Sequence, residues 1–242
     1  MEKETYTERF KVTDCDCDWN RKLTPGAFLR MVQQIATDHC NSLGMDEAFY
    51  AKEQAAFLMA RMALKFYRVP KDGEMLTLTT LPEIMNRALY KRITIAVDEK
   101  GERVAVADSR WILVNTQTKK ILRKPTGEFA KLPFAESVDI SLDMKIALPE
   151  TMEPCGTVRA VYSKCDQNMH MNNSRYADVT MDALPMEELK NKAAVEMIIQ
   201  YHNELPAAES AQLQRAKGEG DSWYVKGERE GKRCFEAKVK LL

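Results

Sequence analysis

Hydrophobic residues alternate with polar ones along several segments of the first half of the chain. A repeat of two places every second side chain on the same face of a strand, so these segments are predicted strands. They cover residues 56–66, 76–78, 93–97 and 104–114, after an extended segment at 5–13. Turn signals at 71–73 and 98–101 separate them, and we expect neighbouring strands to pair antiparallel as hairpins.

A different spacing begins after Thr24 and Pro25, which are a typical N-cap and first-turn pair of a helix. The apolar positions then recur every three or four residues, which is the period of one helix face. They are Phe28, Met31, Val32, Ile35, Ala36 and His39. Gly44 supplies a stop signal. The first half is therefore predicted as a strand, a helix with one buried face, and four further strands.

The same pattern occurs a second time. The Cys-Asp dipeptides at 15–16 and 165–166 lie 165 − 15 = 150 residues apart, and at this offset Thr24 corresponds to Ser174. A second helix should therefore begin at Arg175. Four prolines interrupt the pattern between the two repeats, at positions 125, 133, 149 and 154, which is typical of a crossover linker.

Alternating segments also follow the second predicted helix. They lie at 195–201, 210–217, 223–228 and 235–241. A duplicated unit of one long helix and an antiparallel sheet indicates an α+β protein in which each sheet wraps around its helix. We predict an N-terminal unit at 1–124, a crossover linker at 125–156 and a C-terminal unit at 157–242.

Composition excludes several classes of partner and cofactor. Lys plus Arg and Asp plus Glu both number 36, so no global field favours nucleic acid or an anionic membrane. The charged amino terminus lacks a signal peptide, and no run of about 18 apolar residues predicts a membrane span. Six sparse cysteines fit a reducing cytoplasm. No pyridoxal, nucleotide or metal motif is present, so no cofactor is expected.

Polar residues that can carry chemistry are concentrated where the second predicted helix begins. Asp166, Asn168 and His170 stand at every second position, and in an extended approach to the helix they would project to the same side. An imidazole exchanges protons near neutral pH, an amide can donate to an oxyanion, and free N–H groups at a helix start favour negative charge. The neighbouring Asn172 and Asn173 are better explained as helix caps.

Residues 166–176 read DQNMHMNNSRY, and this run resembles the D-x-N-x-H-x-N-N-x-K/R-Y signature of acyl-ACP thioesterases. Residues 200–204, QYHNE, resemble the strand in which that family places its catalytic Glu. The resemblance extends to the first half, through Gln33-Gln34, the strand at Arg61-Met62 and residues 109–113, SRWIL. It implies a double hot-dog fold of two tandem units. The catalytic residues that it implies are Asp166, Asn168, His170 and Glu204.

The resemblance further implies an enzyme that releases a fatty acid from acyl carrier protein by attack of activated water on the thioester. The acyl chain would enter the first half, where Phe57, Met59 and Met62 are candidates, and basic residues at 119–124 would meet the acidic carrier. Many plant members carry a Cys where this chain has Leu205, which argues against thiol catalysis. No chloroplast transit peptide precedes residue 1, which suggests a bacterial form.

Two other functions remain open from the sequence. One is an acyl-CoA thioesterase of the same fold, and the other is a non-catalytic acyl-binding protein whose polar cluster only recognises the thioester. The sequence does not choose between Glu204 and His170 as the general base. It also leaves open a monomer or a homodimer, because one chain already contains two units.

Overall fold

The computed structural model describes residues 4–86 and 88–242. Four helices occupy Pro25–Ser42 (α1), Glu47–Glu53 (α2), Arg175–Asp182 (α3) and Met186–Leu189 (α4). The first five strands are Tyr6–Lys11 (β1), Ala55–Phe66 (β2), Met75–Asn86 (β3), Leu89–Val97 (β4) and Arg103–Asn115 (β5). The other five are Glu153–Arg159 (β6), Ala194–Tyr201 (β7), Ser210–Lys217 (β8), Ser222–Arg229 (β9) and Lys232–Leu241 (β10).

All ten strands form one antiparallel sheet with the order β1-β3-β4-β5-β2-β7-β10-β9-β8-β6. The first five strands in this order come from the first half of the chain and the last five from the second half. The predicted α+β organisation in two tandem units is therefore confirmed. Among the described residues, no helix is long and apolar enough to cross a membrane.

The two units meet at the centre of the sheet, where β2 pairs with β7. Ala63 lies opposite Ile198, and Lys65 forms an ion pair with Glu196 across this seam, with Nζ and Oε1 2.9 Å apart. The helices meet on the same side, where Arg30 of α1 contacts Asp178 of α3.

Hydrogen bonds in the loops before α1 and α3 show which residues of the two units are equivalent. Asp18 N–H donates to the carbonyl of Lys22 at 2.9 Å, and Asp166 N–H donates to that of His170 at 3.0 Å. The offset is thus 166 − 18 = 148, not 150. At this offset the counterpart of Thr24 is Asn172, so its predicted equivalence with Ser174 was wrong. The two Cys-Asp dipeptides are not equivalent. Cys165 corresponds to Cys17 and not to Cys15, because Cys165 and Cys17 form the same β-bridge in the two units.

Helix α1 begins and ends as the sequence predicts. The Thr24 hydroxyl accepts a hydrogen bond from Ala27 N–H at 3.2 Å, and Pro25 fills the first turn, where its missing N–H is not needed. Gly44 follows the helix with a φ of +77°, a conformation that glycine adopts without strain. The helix of the second unit has only 8 residues. It is shorter than α1 and ends where the sequence predicts, because Pro185 stands just beyond its end and cannot continue a helix.

Two details of the strand predictions differ from the structure. The turn at 71–73 does not form a hairpin, because both edges of β2 are already paired with β5 and β7. Strand β6 begins inside the segment predicted as a linker and pairs with β8 as β1 pairs with β3. Its residues are mostly exposed and include Pro154 and Gly156, so they carry no alternating pattern.

The segment after β5 crosses the face of the sheet opposite the helices. The Glu83 carboxylate accepts hydrogen bonds from Ser137 and from Val138 N–H, and the Asp108 carboxylate accepts one from Leu142 N–H. A small apolar cluster lies beneath the crossing, formed by Leu81, Ile93, Val106 and Ala135. The segment is therefore packed onto the first unit.

Candidate active site

The turn before α3 holds three of the four predicted site residues. Asp166 Oδ1 accepts a hydrogen bond from Asn168 N–H at 2.9 Å, and Met169 adopts a left-handed conformation with a φ of +61°. A β-bridge between Cys165 and Met171 closes the turn. The expectation of an extended segment with three side chains on one side was therefore wrong, because the Asp166 side chain bonds locally and curls the chain.

The segment after β7 is attached to this turn by backbone hydrogen bonds. Met171 N–H donates to the carbonyl of Leu205 at 2.9 Å, and Ala207 N–H donates to that of Met169 at 2.8 Å. Glu204 lies beyond the end of β7 at Tyr201, in a loop rather than in the strand. These bonds bring Glu204 beside a turn that lies more than 30 residues earlier in the sequence.

The His170 imidazole lies between two carboxylates. Its Nδ1 is 3.8 Å from Asp166 Oδ1, and its Nε2 is 3.6 Å from Glu204 Oε1. Both distances exceed that of a strong hydrogen bond, as is common in catalytic sites without substrate. The His170 side chain is 18% exposed and that of Glu204 is 61% exposed. The arrangement allows Asp166 to orient the ring and leaves Glu204 in contact with solvent water.

Asn168 stands apart from this row. Its residue is exposed, and within the described chain its side chain has no hydrogen-bonding partner. Only its backbone N–H is used, in the bond to Asp166. The structure thus brings Asp166, His170 and Glu204 together, whereas no hydrogen bond joins the side-chain amide of Asn168 to them among the described residues.

The start of α3 offers more than one backbone donor. The Asn172 side chain accepts from the N–H and the hydroxyl of Ser174, at 2.9 and 2.7 Å. Ser174, not Asn172, is the N-cap residue of α3, so Asn172 braces the cap and does not cap the helix itself. For Tyr176 N–H as well as Asn173 N–H, no acceptor lies within hydrogen-bonding distance among the residues that the structure describes. The counterpart of Asn173 in the first unit, 173 − 148 = 25, is Pro25, which has no N–H at all.

Sequence reasoning missed the Asn173 N–H and two tyrosines behind it. The Tyr201 hydroxyl donates to the Asn173 carbonyl at 3.0 Å, and burial raises the pKa of Tyr201 and of Tyr176 well above the ordinary value. Both phenols therefore stay protonated. Alignment of the two units by their hydrogen bonds reveals all three, at an offset of 148 for Asn173 and Tyr176 and of 135 for Tyr201, because each differs from its counterpart in the first unit.

The corresponding loop of the first unit has the same hydrogen bonds but lacks the reactive side chains. Asp18 Oδ1 accepts from Asn20 N–H at 2.8 Å, as Asp166 does from Asn168. Lys22 stands in the position of His170. Leu23 N–H donates to the Pro70 carbonyl as Met171 N–H does to that of Leu205. Val69, which precedes Pro70, therefore corresponds to Glu204. Only the second unit therefore carries the imidazole and the second carboxylate.

Cysteines do not enter this arrangement. Cys165 packs against the main hydrophobic core, which agrees with the packing role predicted for it. Cys234 is buried, and burial raises the pKa of its thiol. Leu205, beside Glu204, is fully buried.

Comparison with known proteins agrees with the resemblance in the sequence. Residues 3–131 match the family profile of the acyl-ACP thioesterase N-terminal domain, and residues 154–234 match that of the C-terminal domain. Among curated proteins, an oleoyl-acyl carrier protein thioesterase of Arabidopsis thaliana is 23% identical, over 83% of this chain and 59% of its own length. A palmitoyl-acyl carrier protein thioesterase of Gossypium hirsutum is 21% identical, over 82% and 52%. The chain thus spans somewhat more than half the length of these relatives.

Solved structures show the same fold. An acyl-ACP thioesterase from Bacteroides thetaiotaomicron superposes with a TM-score of 0.88 at 22% identity, covering 100% of this chain and 99% of the other. A 12:0-ACP thioesterase from Umbellularia californica gives 0.87 at 17% identity, covering 98% and 97%. The predicted double hot-dog fold is therefore confirmed.

Proposed function

The chain belongs to the acyl-ACP thioesterase family, and from that premise we propose that it hydrolyses the thioester between a fatty acyl group and acyl carrier protein. The products are the free fatty acid and the carrier with its thiol. The observation that carries this proposal is the row of Asp166, His170 and Glu204. It supports a water mechanism because one imidazole contacts both a shielded carboxylate and an open one.

In the proposed reaction a water molecule beside Glu204 attacks the thioester carbonyl. Glu204, assisted by His170, accepts the proton of that water while the new carbon–oxygen bond forms. The carbon–sulfur bond then breaks, and the proton passes to the leaving thiolate. The Met171 carbonyl, 3.5 Å from Nδ1, and the Asp166 carboxylate, 3.8 Å from it, together orient His170.

Negative charge develops on the carbonyl oxygen during this attack and is stabilised by hydrogen-bond donors. Asn173 N–H has no hydrogen-bonding acceptor among the described residues and lies just before α3, where the helix dipole favours an anion. We assign it as an oxyanion donor. The Asn168 amide is the second candidate, since its side chain is free to turn towards a bound substrate.

The acyl chain is proposed to enter the first unit. Met59 and Met62 belong to the main core, under α1, on the strand that adjoins β7. Phe57 lies nearby in a separate aromatic cluster with Phe129. Flexible methionine side chains can open a slot for an alkyl chain without breaking polar contacts.

The carrier protein is proposed to dock on the loop after β5. Lys119, Lys120, Arg123 and Lys124 are exposed there, and no described carboxylate forms an ion pair with them. The pairing of Ala55 with Asn115 places this loop at the end of the sheet where β2 begins. Strand β7 runs antiparallel to β2, and its last paired residue, Gln200, lies opposite Arg61, so the chain leaves β7 towards the same end of the sheet. Docking and hydrolysis would therefore occur on one side.

Hydrolysis of acyl-ACP and acyl-CoA bearing the same acyl group tests the proposal directly. We expect kcat/KM to be higher for acyl-ACP. A preference for acyl-CoA would support a CoA thioesterase of the same fold. Binding of either thioester without any turnover would support a non-catalytic acyl-binding protein.

We also propose a cytoplasmic protein that is a monomer or a homodimer. All six cysteines are unpaired, which suits a reducing compartment. Two units already pair within one chain, so a single copy holds a full set of site residues. Light scattering of the purified protein measures the oligomeric state.

A further inference from the structure

Two tyrosines of the second unit replace phenylalanines of the first. Tyr176 corresponds to Phe28, since 176 − 28 = 148, and Tyr201 corresponds to Phe66, since 201 − 66 = 205 − 70 = 135. The Phe28 and Phe66 rings have centroids 5.1 Å apart, and those of Tyr176 and Tyr201 lie 5.4 Å apart. The ring pair is thus common to both units, and the hydroxyls are present only beside the candidate active site.

The Tyr201 hydroxyl connects the two segments that carry the site. Tyr201 is the last residue of β7 and stands three positions before Glu204. Its hydroxyl donates to the carbonyl of Asn173, at the start of α3, at 3.0 Å. This bond ties the base of the Glu204 loop to the residue that we assign as an oxyanion donor.

Tyr176 packs beside Tyr201. It is 3% exposed, and its ring centroid lies 5.4 Å from that of Tyr201 and 4.9 Å from that of Phe235. Tyr176 therefore supports the Tyr201 ring.

Packing alone does not require these hydroxyls, because Phe28 and Phe66 fill the equivalent space in the first unit. Burying a hydroxyl costs free energy unless it forms a hydrogen bond. We propose that Tyr201 is a positioning residue, whose hydroxyl holds the Glu204 loop and the start of α3 in register with His170. This inference rests on the proposed thioester hydrolysis, and neither tyrosine is expected to touch the substrate.

Tyr201→Phe tests the inference, because it keeps the ring and removes only the hydroxyl. This change should lower kcat for acyl-ACP by roughly 10- to 100-fold, as a small misplacement of reacting groups does. KM should stay within about twofold, since binding surfaces are untouched. Tyr224→Phe is the matched control and should keep wild-type kcat, because that ring lies on the outer face of the sheet beneath Lys238.

A double-mutant cycle separates positioning from a general effect on the fold. In a Glu204→Ala background, Tyr201→Phe should reduce the residual kcat by less than about twofold, because the group it positions is gone. Equal losses in the two backgrounds would overturn the inference, as would unchanged kcat in Tyr201→Phe. If the wild-type protein itself turns over no thioester, the proposed function fails and this inference fails with it. If the wild-type protein is active and Tyr201→Phe behaves like it, the inference alone is wrong.

Discussion

Arg30 and Asp178 occupy the same position in the two units and form an ion pair with each other. Their separation in sequence is 178 − 30 = 148, and Arg30 Nη1 lies 2.9 Å from Asp178 Oδ2. In two identical subunits related by a twofold axis, such a position would place like residues together. Tandem duplication in one chain allows opposite charges to stand there instead.

The first prediction measures that pair. Its side chains are about one third exposed, at 35% and 31%, so solvent screening leaves a coupling of only about 0.5–1 kcal/mol. Urea unfolding of Arg30→Gln, Asp178→Asn and the double variant should give this value from the cycle. The more exposed pair Arg9 and Glu99, 3.6 Å apart, is the control and should give less. Equal coupling in the two pairs would contradict the prediction.

The second prediction concerns the row of site residues. His170→Ala and Glu204→Ala should each lower kcat by roughly 100-fold or more while the thermal midpoint stays close to that of wild type. His202→Ala should retain activity, because the His202 ring faces Glu236, 3.7 Å away, and not the site. Near wild-type kcat in both site variants would show that the row is not the catalytic centre.

The third prediction removes one backbone N–H. Asn173→Pro deletes the assigned oxyanion donor at a position where the first unit already has Pro25, so the backbone should accept it. We expect kcat to fall roughly 100- to 1000-fold. Asn173→Ala keeps the N–H and should lose little.

Asn168→Ala then distinguishes the two oxyanion candidates. A large loss of kcat in Asn168→Ala with an active Asn173→Pro variant would move the role to the Asn168 amide. The reverse result would leave the backbone donor as the principal one.

The fourth prediction excludes a thiol nucleophile. Cys165 packs against the core and Leu205 carries no nucleophilic atom, so Cys165→Ser should keep most of the activity. Turnover should also survive alkylation of exposed thiols, and rapid quenching should reveal no acyl-enzyme. An acyl group trapped on Cys165 would replace the water mechanism with a covalent one.

The fifth prediction concerns docking of the carrier. Lys119→Glu with Lys120→Glu should raise KM for acyl-ACP several-fold and leave KM for acyl-CoA nearly unchanged. Rising salt should slow the wild-type reaction with acyl-ACP more than that with acyl-CoA. Lys100→Glu is the control, since it lies in the turn before β5, at the opposite end of that strand. Identical salt dependence for the two substrates would argue against carrier docking here.

The sequence predicted most strands and the bounds of α1, because alternation and capping are local properties. It did not reveal that β2 lies between β5 and β7, since strand order depends on contacts across the whole chain. The motif identified Asp166, His170 and Glu204 as candidates, but the turn that joins them depends on one Asx bond and a left-handed Met169. The sequence did not indicate Asn173 as a donor, because its counterpart Pro25 is found only at the offset of 148 residues that the hydrogen bonds show.

The seam between β2 and β7 also has a consequence for synthesis of the protein. Strand β2 ends at Phe66, whereas its partner β7 begins at Ala194. During translation the first unit therefore emerges with one edge of β2 unpaired until most of the chain has left the ribosome. Such an edge is a template for pairing with another nascent chain. A fragment that ends before Ala194 should accordingly associate with copies of itself, whereas completion of β7 closes the edge from within.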